Sequence, residues 1–143
     1  MKFRSLLAHD AARHEGVHPL HILALRVIYL LMCGMMARTA WSSILGHEGP
    51  WEPYRAMATC VWAAYGTLSL LGLLHPLRML PLVLFMIFYK SLWLAVVAYP
   101  LWRAGTPAGA ATQELTQVFF AAPVFALFVP WAYVLRRFVV ASR

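Results

Sequence analysis

The chain has 143 residues, of which 62% are hydrophobic and only 12% charged, with a mean hydropathy of +0.69. An ordinary soluble domain carries roughly a quarter charged residues, so no water-soluble fold of this length hides so much apolar surface, and lipid is the expected solvent. The net charge of +7 does not read as a nucleic-acid surface, because the basic residues stand at the ends of apolar runs and in short connections, where topology signals lie.

The amino-terminal stretch MKFRSLLAHDAARHEGVHPL holds no long apolar run and no small-residue cleavage site, so no cleaved signal peptide is expected. Phe3, Leu6, Leu7 and Ala11 share one helical face with Lys2, Arg4 and Arg13 around them, which suits a short helix on the membrane surface or a solvated tail.

A membrane-crossing helix needs about 20 mostly apolar residues, and four such runs occur, at residues 20–44, 56–74, 79–101 and 115–134. The expected architecture is therefore all-α, a single integral-membrane four-helix bundle covering residues 1–143. Lys2, Arg4, Arg13, Arg78, Arg136, Arg137 and Arg143 fall on one side, against Arg38, Arg55 and Arg103 on the other. Positive residues stay in the cytoplasm, so both termini are expected inside. Trp41, Trp51, Tyr54, Tyr99 and Trp102 then form an outer aromatic belt, and Trp131 with Tyr133 part of the inner one.

Run one opens on the sequence HPLH from His18 and run three on HPLR from His75, 57 residues later. The pair hints at two tandem hairpins, although Pro in a first helical turn is common because its missing N–H needs no partner there. His18 and His21, with His75 arriving at the same membrane face, are the candidates for a metal or haem. Haem ligands in bundles usually sit within the helices and face each other, whereas these stand at helix ends beside prolines, so no metal site is assigned. The outer loop Gly46 to Arg55, with His47, Glu48 and Glu52, could cap a pocket, meet a partner or simply turn the chain.

Run two carries Thr59, Ala63, Gly66, Ser69 and Gly72 at spacings of three or four, a small-residue stripe expected to be its buried face. Cys33 and Cys60 lie within apolar runs without a ligand spacing and read as packing residues. Pro81, Pro100, Pro123 and Pro130 are expected to kink or end helices three and four.

Lys90 stands out, 12 positions after Arg78, or about 18 Å along a helix and near the middle of a hydrocarbon core about 30 Å thick. A lysine there costs at least about 2.5 to 3.5 kcal/mol, so such residues usually face the bundle interior and act in a site; the alternative is snorkelling or a carbonyl freed at a proline. Arg26 lies about one and a half turns into helix one and can snorkel to the headgroups. No Asp or Glu occurs within the four runs, so Lys90 and Arg26 have no acidic partner at their own depth. That leaves a neutral amine, or a ligand that is anionic or carbonyl-bearing. Tyr29, Cys33, Trp62, Tyr65, Tyr89 and Trp93 lie around these depths, and with Lys90 and Arg26 the aromatics Tyr29, Tyr65, Tyr89 and Trp93 are the candidate ligand-binding set. Packing alone also accounts for aromatics at helical spacing. No nucleophile elbow, phosphate-binding loop, HExxH or paired intramembrane carboxylates are present, so no catalytic residue is assigned.

The stretch AYGTLSLLGLLHPLRMLPLVLFMI, with Gly66, Gly72 and Arg78, resembles the centre of the DoxX-like family of small four-helix bacterial membrane proteins. Arg26 occupies a place like that family's basic residue early in helix one, whereas Lys90 and the two HPL segments depart from its pattern. The resemblance implies a multi-pass protein of the bacterial inner membrane, in a family with some members tied to membrane redox complexes or quinone chemistry. The reading that follows is a non-catalytic accessory protein holding a lipid or quinone, or docking as an oligomer or in a larger membrane complex. A quinone- or haem-binding oxidoreductase subunit is the alternative, and a small oligomeric transporter the third.

Overall fold

The computed structural model describes residues 16–140, so the surface helix expected around Phe3 to Ala11 lies outside the described residues. The described chain is all-helical. Its elements are α1 (Pro19–Leu45), α2 (Pro53–Leu74), α3 (Leu80–Ala104), α4 (Ala110–Leu127) and α5 (Trp131–Val139). The first three are each long and apolar enough to cross a membrane, and a fourth crossing exists if α4 and α5 count as one broken span. The chain divides into two compact units, one holding α1, α2, the first residues of α3 and α5, the other Val83–Val129.

In the first unit, α1 begins where the sequence places a proline in the first turn. His18 is extended, and its Nδ1 accepts a hydrogen bond from the Leu20 N–H at 3.3 Å, while Pro19 sits where no N–H is needed. The helix widens to a π-turn over Met32–Ala37 before resuming at Arg38–Leu45. The second helix starts at Pro53, three residues ahead of the apolar run. Both Glu52 carboxylate oxygens accept from the helix start, Oε1 from the Tyr54 N–H at 3.0 Å and Oε2 from the Arg55 N–H at 2.6 Å. A charged cap followed by Pro at the first position nucleates a helix irrespective of hydropathy.

All five residues of the α2 small-residue stripe are buried, and α2 packs on α1 at Gly66 and Gly72. A Cβ on Gly66 would stand 2.9 Å from the Ala37 Cβ, and one on Gly72 would run into the Tyr29 ring. The backbones approach this closely because the side chains are absent, the way helices cohere in lipid. Tyr29 is fully buried and its hydroxyl donates to the Pro76 carbonyl at 2.9 Å, tying α1 to the connection between α2 and α3. Higher up, the Trp41 Nε1–H donates to the Thr67 hydroxyl at 2.9 Å, and that hydroxyl donates to the Ala63 carbonyl at 2.7 Å.

In the second unit, α3 also contains a π-turn, Leu94–Ala98, just before Pro100. Proline has no N–H for a carbonyl four residues back; here the Tyr99 N–H reaches the Leu94 carbonyl, five back, so the register shifts and the helix continues through the proline. It ends at Gly105, whose φ of 64° is the left-handed cap that glycine adopts without strain. Pro81 lies in the first turn of α3 and breaks nothing.

The fourth apolar run departs from the straight span expected over residues 115–134. α4 begins at Ala110 and so takes in Glu114, which is exposed. It slackens at Phe120, where ψ is −18°, because Pro123 offers no N–H to the Phe119 carbonyl. It stops at Leu127, with the Phe128 N–H turned back to Phe125 at 3.1 Å and the Val129 N–H to Ala126 at 3.3 Å. Val129 precedes Pro130 and is steered out of the helical region, so the chain restarts as a separate helix at Trp131.

Candidate functional site

The buried positions of α3 recur at Leu80, Val83, Met86, Ile87 and Lys90, spacings of three, four or one that trace one helical stripe. Four are aliphatic or thioether side chains. At the fifth, where another would continue the pattern, stands a lysine with only 5% of its surface exposed. It is about 15 Å from the Leu80 end of the helix and about 21 Å from the Ala104 end, so no helix end is close by.

The Lys90 Nζ lies 5.2 Å from the centroid of the Phe119 ring. Phe119 is itself buried, and both aromatics that flank Lys90 on α3 meet it edge-on. Tyr89 does so at 5.7 Å and 88°, Trp93 at 5.2 Å and 78°. Phe85 extends the cluster by packing on Tyr89 at 5.5 Å. Such perpendicular pairs are the favoured aromatic geometry and hold the ring under the amine.

Lys90 has no hydrogen bond and no ion pair among the described residues. No Asp or Glu occurs in α1, α2 or α3, and Glu114 of α4 is exposed. A desolvated cation–π contact returns about 2 kcal/mol or more, while a lysine near the centre of a helix that crossed a membrane would cost about 2.5 to 3.5. The aromatic contact offsets much of that cost but leaves the N–H donors of the amine without an acceptor among the described residues.

Of the six residues expected to bind ligand, Lys90, Tyr89 and Trp93 thus come together around Phe119. The others lie in the first unit. Arg26 is exposed on α1. Tyr29 fills the space left by Gly72 and gives its hydroxyl to Pro76. Tyr65 is buried on α2 with its hydroxyl on the Met36 sulfur. Cys33 is half-buried with its thiol donating to the Leu30 carbonyl at 3.4 Å, and Trp62 is half-buried. Phe119 is absent from the sequence candidates; the signal for it was its position four residues before Pro123, the proline in the middle of the fourth run.

The histidines take up local roles. His18 caps α1, and His75 ends α2 with its N–H on the Leu71 carbonyl at 2.8 Å. His21 is half-buried in the first turn of α1. His47 stacks on Trp51 in the α1–α2 loop, ring centroids 3.5 Å apart. No group of three or more His, Cys, Asp or Glu positioned to hold a metal ion occurs among the described residues. Comparison with protein-family models, with curated proteins and with solved structures gives no match to this chain.

Proposed function

We propose that this chain is a non-catalytic membrane protein that holds a hydrophobic ligand, a lipid or a quinone, against Lys90 and the rings of Tyr89, Trp93 and Phe119. The observation that carries this reading is the lysine itself: it is 5% exposed, lies near the middle of a helix long and apolar enough to cross a membrane, and has no polar partner among the described residues. Intramembrane ionisable residues are costly and are kept where they act on a ligand, an ion or a partner. A bound molecule with an acceptor atom satisfies the amine, and aromatic walls suit its apolar body.

The protein is proposed to be a four-span bundle of the bacterial inner membrane, with α4 and α5 together as the fourth crossing and both termini in the cytoplasm. The excess of Lys and Arg on one side supports the orientation. The resemblance of the α2–α3 region to the DoxX-like centre supports the location. Native mass spectrometry of the purified chain in gentle detergent tests the reading. A molecule of defined mass retained by wild type and lost from Lys90→Met is expected; equal retention by both, or no retained molecule, refutes it.

A further inference from the structure

Resting on the ligand-binding reading above, we infer that Lys90 takes a carbonyl oxygen carried by a molecule that is uncharged when it arrives, and not the phosphate of a lipid headgroup. Two sources share that chemistry: a long-chain carboxylic acid in its protonated form, and a quinone-type diketone.

Depth is the first argument. Lys90 sits about 15 Å from the nearer end of α3, half the thickness of the hydrocarbon core. A phosphodiester that met it would have to leave the headgroup layer and carry its charge that distance through hydrocarbon. Even a well-formed ion pair in such a place repays the desolvation of both ions only when further hydrogen bonds complete it. A phosphate would also need cationic or several N–H donors for its remaining oxygens, and among the described residues the group facing the Lys90 amine is the Phe119 ring, with no second cation beside it.

A carbonyl on an apolar body avoids each of these costs. It crosses hydrocarbon without a charge, needs one donor, and presents carbon surface to the aromatic residues. The chain's own freed acceptor does not fill the role. Pro123 deprives the Phe119 carbonyl of its donor four residues on, yet Lys90 does not donate to that carbonyl.

Three probes and three variants test the inference. The full-length protein in phosphatidylcholine nanodiscs is titrated with radiolabelled palmitic acid, with a short-chain ubiquinone and with dioleoyl phosphatidic acid. Lys90→Gln keeps a neutral N–H donor, Lys90→Arg fixes a positive charge, and Lys90→Met removes both; circular dichroism and gel filtration confirm that each folds. The expected result is saturable binding of palmitic acid or the quinone, whichever binds naming the source. Lys90→Gln should keep it to within about tenfold, while Lys90→Met, which has no donor, loses more than about tenfold, the worth of one good hydrogen bond. Saturable binding of phosphatidic acid, kept by Lys90→Arg and lost in Lys90→Gln, overturns the inference and leaves the ligand-binding reading standing. Binding of none of the three probes by wild type also overturns it; the broader reading falls separately, if native mass spectrometry finds no retained molecule.

Discussion

Replacing Lys90 with Met should make the ligand-free protein more stable while abolishing ligand retention. Lys90 is 5% exposed near the middle of α3, and the only charge-related contact of its amine among the described residues is the Phe119 ring at 5.2 Å. On the proposed membrane-crossing reading, a lysine at that depth costs about 2.5 to 3.5 kcal/mol and a desolvated cation–π contact returns about 2, so removing both should gain about 0.5 to 1.5 kcal/mol. Met has similar length and an adaptable thioether, so it continues the Leu80, Val83, Met86, Ile87 stripe without leaving a void. In the dissociated helix the flexible lysine chain can meet water defects or polar headgroups that the buried Leu80–Lys90 stripe denies it, so the part of the penalty that folding adds is what the titration reads. Unfolding in mixed micelles by SDS titration, with ligand stripped beforehand, measures the difference. A loss of stability of about 1 kcal/mol or more would refute the reasoning, because it would mean that Lys90 holds the bundle together, as a partnered buried charge does when one member is removed.

Gly72→Ala should destabilise the first unit by about 1 to 3 kcal/mol, since its Cβ runs into the ring of the fully buried Tyr29; the same SDS titration reads the loss, and wild-type stability would show that the ring can move aside. Tyr29→Phe removes the hydrogen bond to Pro76 and leaves a buried carbonyl unpaired, for a cost of about 1 to 3 kcal/mol with ligand retention unchanged. Phe119→Leu should weaken ligand retention in native mass spectrometry, because it removes the ring that Tyr89 and Trp93 meet edge-on; unaltered retention would place the ligand away from the cluster.

What could be read from the sequence and what could not differ in physical kind. The α2 stripe from Thr59 to Gly72 is legible because close helix approach in lipid requires small residues at helical spacing, and all five are buried as that requirement implies. Lys90 is legible because a charge in the middle of a run long and apolar enough to cross a membrane stands out whichever way the helix turns. The start of α2 is not, since hydropathy begins at Ala56, whereas the Glu52 carboxylate and Pro53 start the helix in polar sequence. The break in the fourth run escapes for a related reason: residues 118–134 are apolar throughout, and hydropathy does not register that Pro130 turns the residue before it away from the helix. Depth along a helix also says nothing of facing. It groups Arg26 and Tyr29 with Lys90, yet Arg26 is exposed and Tyr29 belongs to the α1–α2 packing. Phe119 is the hardest to foresee, because its ring meets residues some 30 positions earlier in the chain.

The most direct test of a ligand at Lys90 uses the fact that the chain has only two lysines, Lys2 and Lys90. In a Lys2→Arg chain labelled with ¹⁵N-lysine, a single side-chain nitrogen signal reports on Lys90 by solid-state NMR in bilayers. Adding back the molecule that co-purifies with the protein should shift that signal saturably, at the same concentration that restores binding. A signal that stays in place while the molecule binds would contradict the assignment of Lys90 as its anchor.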